Sequence, residues 1–385
     1  MAVRLRTDRW LFIVTLLMVF FGLVMVYSST SVPFAVRAKD PSVPAWTFPV
    51  KQLIAVVIGF GALMFLKRRN YTDLQSHHWA FAPFGVVLML LAVAFFTDDR
   101  AHRWIRYGKI VQLQPSELAK PALALFLAWL VVRRGQQVND RQALAPFLLM
   151  MAALAGIVLL GDLGTAMVLT ATAAAVMFVA GLNRRYFIAL GAMALVVLVL
   201  GIMSKEYRRE RVIQYMKAKA AKLAPYDPTG KMAKWAPPEQ IKEERINYQA
   251  EQSVITLGSG GLFGVGLMDG RQKMFFLPEA HTDYIFAHIG EEMGFVACFA
   301  LLAAFLIILW RGFRLFWIAA DPFGQYLALA VTVSIVFQAL FNMTVVMDLI
   351  PSKGLTLPLI SYGGSSIIST LTSLGILMSV SEHAG

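Results

Sequence analysis

Ten apolar runs, at positions 10–27, 50–66, 79–96, 118–132, 143–160, 165–182, 187–203, 284–310, 323–347 and 356–380, dominate this 385-residue chain. Most come close to or exceed the roughly 20 residues that a helix needs to cross a hydrocarbon layer about 30 Å thick, and the second and fourth are short. Lipid offers no hydrogen bonds, so a crossing segment must satisfy its backbone internally, and repeated runs of this length do so as helices. The chain therefore reads as an all-α polytopic membrane protein with about ten transmembrane helices, forming a single membrane domain over residues 1–385. One large extracytoplasmic loop is expected at 204–282. Composition agrees, because 58% hydrophobic and 15% charged residues leave too little charge to cover a soluble protein of this size.

The first run follows Arg4, Arg6 and Arg9, as in a signal peptide, but it is long and no A-x-A site follows. A retained signal-anchor is expected. The one cysteine, Cys298, lies within an apolar run, so an intrachain disulfide is excluded. Basic residues in short loops concentrate on the cytoplasmic side. Placing the N-terminus inside puts Lys67, Arg68, Arg69, Arg133, Arg134, Arg141, Arg184, Arg185, Arg311 and Arg314 there, with both termini. Asp283 then lies on the outer face. Much of the formal net charge of +12 is accounted for by this bias and by anionic lipid; no nucleic-acid partner is expected. Arg100, Arg103, Arg106 and Lys109 break the pattern, since they fall on the outer side, and point to an anionic ligand there.

The segment 204–282 begins with a basic, helix-prone stretch suited to lying along lipid headgroups. Pro225, Pro228, Pro237 and Pro238 then interrupt it. The glycines of 258–266 suggest a phosphate cradle, yet neither G-x-G-x-x-G nor G-x-x-x-x-G-K-[ST] is present, so nucleotide binding is excluded. They suit a re-entrant or tightly packed loop instead. No inverted repeat of the kind common in transporters is evident.

Three clusters fall on the outer side. In the first, Ser116 reads as a helix N-cap. Glu117 and Lys120, three residues apart, share a face and can pair, either as a structural bridge or in a cavity within the bundle. The second surrounds Asp283 in Leu277-Pro278-Glu279-Ala280-His281-Thr282-Asp283, with Glu291 and Glu292 following inside the helix. A carboxylate at the lip of a span must be solvated, paired or used. It could cap the helix. With His281 it supplies only two metal ligands, too few for a permanent zinc site, though Mg²⁺ shared with substrate phosphate oxygens is compatible. The third runs from Pro351 to Ser366, where prolines and small residues around Lys353 and Ser361 indicate a broken or closely packed helix start. Asp162 reads as a capping carboxylate between the fifth and sixth spans.

Tyr248-Gln249, Gln252-Ser253, Gly258-Ser259-Gly260-Gly261-Leu262, Gln272-Lys273, Leu277 to Asp283 and Glu291-Glu292-Met293-Gly294 together resemble the SEDS family of FtsW, RodA and SpoVE proteins, as do 114–120 and 357–366. The likeness covers nearly the whole chain, and residues 351–358 look more like the division members than the elongation members. Two departures stand out: Leu160-Gly161 replaces the family's Gln-Pro before Asp162, and a charged insertion lengthens the loop between Pro228 and Tyr248.

The resemblance implies a peptidoglycan glycosyltransferase of the bacterial cytoplasmic membrane. Such an enzyme polymerises lipid II into undecaprenyl-diphosphate-linked glycan by inverting β-1,4 transfer at the outer face. It implies a class B penicillin-binding protein as partner, and further division proteins. Asp283 matches the family's essential aspartate, and Glu117 and Lys120 its cavity pair. Arg103, Arg106 and Lys120, with Mg²⁺ or Mn²⁺, would meet the diphosphate, and His281, Lys353 and Ser361 would contact substrate. The rival readings are a lipid II flippase, an elongation-type polymerase and a non-catalytic scaffold.

Overall fold

The computed structural model describes residues 8–37, 46–98, 103–107, 111–203, 206–226, 235, 248–270, 281–351 and 354–383. Its helices are α1 (Arg9–Arg37), α2 (Thr47–Arg68), α3 (His77–Thr97), α4 (Pro115–Arg134), α5 (Arg141–Gly161), α6 (Leu163–Val179), α7 (Arg184–Met203), α8 (Glu206–Leu223), α9 (Tyr248–Ser259), α10 (Ile285–Ile318), α11 (Pro322–Val346) and α12 (Gly364–His383). Among the described residues, α1 to α4 and α10 to α12 are long and apolar enough to cross a membrane, and α5 and α6 contain shorter apolar helices. With the apolar α7, these match the ten runs. The all-helical reading needs one small amendment: β1 (Ile105–Tyr107) and β2 (Val111–Leu113) pair antiparallel, with Arg106 opposite Gln112.

Helix starts follow local chemistry. Pro115 at the first position of α4, with its φ already helical, puts the cap at Gln114. Ser116 is therefore inside the helix and not its cap as expected; its hydroxyl accepts from Gln114 Nε2. Asp162 caps α6 by accepting from the Thr165 amide, as its position suggested. Asp321 does the same for α11 through Gly324.

The core is the contact of α4, α11 and α12 with their neighbours, and α2 lies close along α12. At one end of the bundle, ionic contacts join distant parts of the chain. Asp8 pairs with Arg311, Lys67 with Glu382 at 3.4 Å, and Tyr71 donates to Asp321. Burial, helped by Asp321, raises the Tyr71 phenol well above its ordinary pKa, so it stays a donor. The chain near both termini lies at this end, through Asp8 and the bond from its amide to Ser381. Residues 281–284 and 354–363 lie at the other.

Two spans differ from their expected form. The run at 356–380 becomes helix only from Gly364, and 354–363 is irregular. The run starting at 284 continues to Ile318 but is broken at Gly294, where φ is +74° and ψ −171°. Broken helix within a membrane requires substitute hydrogen bonds. The glycine loop after α9 supplies them. Val265 and Gly266 amides donate to the Glu291 and Glu292 carbonyls, each at 3.0 Å, while Phe295 and Val296 amides donate to Gly261 and Leu262 carbonyls. A Cβ at Gly260 would lie 1.9 Å from the Gly290 carbonyl, so only glycine allows this approach. The packed-loop expectation for 258–266 is met. Part of the large loop is thereby built into the bundle: the Ser253 hydroxyl lies 2.8 Å from the Val346 carbonyl.

Candidate functional site

The end of the bundle that bears Asp283 gathers a polar chain that starts on α4. Glu117 and Lys120 are 2% and 6% exposed and pair at 2.6 Å. Lys120 Nζ also donates to Gln338 Oε1 on α11, at 2.6 Å. Gln338 Nε2 passes the connection on to the Thr356 carbonyl at 2.8 Å, and Thr356 Oγ1 meets Ser366 Oγ of α12 at 2.9 Å. A buried ammonium is tolerable only with such partners. The carbonyl of Glu117 accepts from Ser369 of α12 as well.

One turn beyond Gln338, Asn342 holds the Asp283 segment. Its Nδ2 donates to the backbone carbonyls of Asp283, at 2.8 Å, and Leu355, at 2.6 Å. Ser361 adds a second tie, donating to the Thr282 carbonyl at 2.6 Å and accepting from the Leu357 amide at 2.8 Å. Tyr362 N donates to the His281 carbonyl. The His281 ring lies among Phe48 and Tyr362, with centroids 5.4 and 5.7 Å away. Residues 281–283 are half-buried, and the Asn342 bond fixes the Asp283 backbone. A Cβ at position 354 would come within 2.5 Å of Asp283 Oδ2, so Gly354 keeps room for it.

The irregular segment opposite is itself clamped. Gln52 of α2 donates to the Ser361 carbonyl and accepts from the Gly363 amide, both at 3.1 Å. Leu359 takes φ +67°, a strained conformation for leucine that costs about 1–3 kcal/mol. Its carbonyl lies where a Cβ on Gly22 of α1 would come within 2.5 Å.

Sequence-expected residues fall into three groups. Asp283, His281 and Ser361 come together, and Glu117 and Lys120 are joined to them through Gln338, Asn342 and residues 355–356. Ser361 has its proton committed to Thr282, which gives it a holding role beyond the contact role expected. Arg103 and Arg106 form a separate group on the hairpin: Arg106 is exposed on β1, and the half-buried Arg103 bonds through its amide to Asp98. The hairpin is tied to the site where the Gln114 amide donates to Ser365. Lys353 lies outside the described residues. Asp283 does not cap α10; that position is Tyr284, without a side-chain cap. Glu292 accepts from Ser28 of α1 at 2.6 Å, and Glu291 lies 3.4 Å from His288. This acidic pair therefore joins α1, α10 and the glycine loop. Asp162 also accepts from Gln114 Nε2, linking α6 to α4.

The sequence reading missed Gln338, Asn342 and Gln52. A signal existed, since Gln338 and Asn342 are amides four apart in an otherwise apolar run, and polar groups in a span are costly unless bonded. Outside the bundle, α8 docks on the same end: Lys219 pairs with the buried Asp348 at 2.8 Å, and Tyr215 donates to the Leu349 carbonyl at 2.8 Å. Among the described residues, no group of three or more His, Cys, Asp or Glu is arranged to hold a metal ion.

An irregular, amide-clamped rim over a buried ion pair defines a multi-pass membrane protein with a polar site at one end of its bundle. The family model for FtsW, RodA and SpoVE, described as cell cycle protein, matches residues 8–385. The chain belongs to this family, the SEDS proteins. It is 36% identical to a probable peptidoglycan glycosyltransferase FtsW of Geobacter metallireducens, covering 98% of this chain and 95% of that one. It is 34% identical to the stage V sporulation protein E of Bacillus subtilis, covering 98% and 97%. Among solved structures, it is similar to a chain of a peptidoglycan synthase complex that coordinates polymerization and crosslinking, with TM-score 0.71, 28% identity and 98% coverage of both chains. The rod shape determining protein RodA of Thermus thermophilus gives TM-score 0.67 and 26% identity, again over 98% of both.

Proposed function

We propose that this chain is a peptidoglycan glycosyltransferase that joins lipid-linked disaccharides into glycan at the outer face of the bacterial cytoplasmic membrane, with both termini in the cytoplasm. The observation that carries the reading is the position of Asp283. Its backbone is pinned by Asn342 and Ser361 at the open end of a polar chain leading to Lys120. A fixed carboxylate at the water–lipid rim can take the proton of an acceptor sugar hydroxyl as the new C–O bond forms, an effect worth about 10²–10⁴ in rate. The bond from the donor's anomeric carbon to its prenyl diphosphate breaks in the same displacement. An α-linked donor then gives a β-linked product, with no covalent enzyme intermediate.

Negative charge gathers on the departing diphosphate and needs cations. Lys120, Arg103 and Arg106 are assigned this role, with His281 and Lys353 at the saccharide. Mg²⁺ or Mn²⁺ would be held chiefly by the diphosphate itself, given the few donors around Asp283, and no step is routed through it. A class B penicillin-binding protein is the proposed partner, supported by the likeness to a synthase complex chain. A role in division is supported by the FtsW relatives.

The test is polymerisation of lipid II by the purified protein in detergent, with and without that partner. Asp283→Asn, folded and membrane-extracted like the parent, is expected to form no glycan. Normal glycan from that variant would refute the base assignment. A parent that moves lipid II across vesicles yet never polymerises it would favour a flippase.

A further inference from the structure

Running from near Gln52 toward the end of the bundle opposite Asp283, α2 carries a feature that the proposed glycan synthesis does not use. Ile54, Ile58, Gly61, Phe65 and Arg68 follow one another at spacings of four and three residues, hence on one face. Ile54, Ile58 and Phe65 are exposed large apolar side chains. The stripe ends in a groove of about 440 Å³ lined by Gly61, Met64, Phe65, Arg68 and Arg69. A Cβ added at Gly61 would meet nothing within 4 Å, so the groove floor is open.

Three basic residues, Lys67, Arg68 and Arg69, stand at its mouth. Lys67 is paired with Glu382, whereas among the described residues neither Arg68 nor Arg69 makes a salt bridge to an acidic side chain. The Arg69 guanidinium lies 5.2 Å from the Phe65 ring centroid, and the Arg69 carbonyl accepts from Ser379, which fixes its backbone. Two guanidinium groups next to each other, above an apolar groove that continues into the exposed stripe of Ile58 and Ile54, match one chemistry: a phosphate diester headgroup with an acyl chain below it.

We infer that this groove is a binding site for an anionic phospholipid of the inner leaflet, with Arg68 and Arg69 on the phosphate and an acyl chain along Phe65, Gly61 and Ile58. The occupant is a lipid, because two adjacent guanidinium groups at the polar end of an exposed apolar face complement a phosphate with an acyl chain below it.

The experiment is native mass spectrometry of the purified full chain in detergent, titrated with phosphatidylglycerol or phosphatidylcholine. The parent is expected to retain phosphatidylglycerol in preference. Arg68→Gln with Arg69→Gln is expected to weaken that retention about thirtyfold, at about fivefold per arginine. Gly61→Leu, which fills the floor and keeps both charges, is expected to lose the preference as well. Arg184→Gln with Arg185→Gln, an exposed basic pair at the start of α7, is expected to change nothing. Equal retention of the two lipids by the parent would overturn the proposal. So would an equal loss in the Arg184 and Arg185 control, which would reduce the effect to general charge. A change of oligomeric state in Gly61→Leu with lipid retention intact would assign the groove to a second copy instead.

Discussion

The two ends of the bundle are held together by different chemistry. At the end bearing the termini, side chain meets side chain: Asp8 with Arg311, Lys67 with Glu382, Tyr71 with Asp321. These contacts staple regular helix ends, and the bonds that Asp8 and Asp321 also accept from the Leu11 and Gly324 amides only cap the starts of α1 and α11. At the Asp283 end, side chain meets backbone. Gln52, Gln338, Asn342 and Ser361 each donate to a carbonyl of irregular chain. An amide within a span is a poor choice for staples, but it is what non-helical backbone requires when water is scarce. The difference teaches where a membrane protein has exchanged regular helix for a shaped rim, and the proposed chemistry falls at that rim.

Three substitutions sharpen this contrast, in descending order of effect. Lys120→Met leaves the buried Glu117 carboxylate without its cation. Breaking a buried pair from one side costs about 3–5 kcal/mol, so a large fall in thermal stability together with loss of polymerisation is expected. A variant as stable as the parent would show that water reaches Glu117. Asn342→Ala removes two bonds to carbonyls and frees the Asp283 backbone. A loss of about 1–3 kcal/mol is expected, with kcat reduced more than the melting temperature alone explains. If Asn342→Ala lost stability but kept full kcat, the rim would be structural and Asp283 would not depend on it. Lys67→Ala, at the stapled end and partly exposed, is expected to cost less than about 1 kcal/mol and leave glycan synthesis at the parent rate. A strong loss of activity there would erase the distinction between the two ends.

Much of the site could be read from residue order. The i, i+3 spacing of Glu117 and Lys120 placed both on one face, and the structure pairs them. Asp283 stood out as a carboxylate at the mouth of a span. Asp162 was legible as a cap because its carboxylate precedes Leu163-Gly164-Thr165, which is a local matter. Ser116 misled, since a hydroxyl near a helix start suggests a cap, yet Pro115 already fixes the first turn and moves the cap to Gln114. The irregular stretch 354–363 was hidden in an apolar run, because hydropathy measures transfer to lipid and does not sense backbone conformation. Gln338 and Asn342 went unnoticed for a related reason: their partners, Lys120, Thr356, Leu355 and Asp283, are distant in sequence.

By itself, the order of apolar and charged residues determined that the chain is a multi-pass helical membrane protein, where its apolar spans fall and the family to which it belongs. Those properties depend on segment length, local spacing and motif identity. Only the tertiary structure decided that the glycine loop repairs the break at Gly294, that α11 amides hold the rim, and that Lys120 is wired to it through Gln338. Each of these is a hydrogen bond between segments far apart in the chain. Which carbonyl an amide will meet is set by how whole helices pack, and no local pattern encodes it.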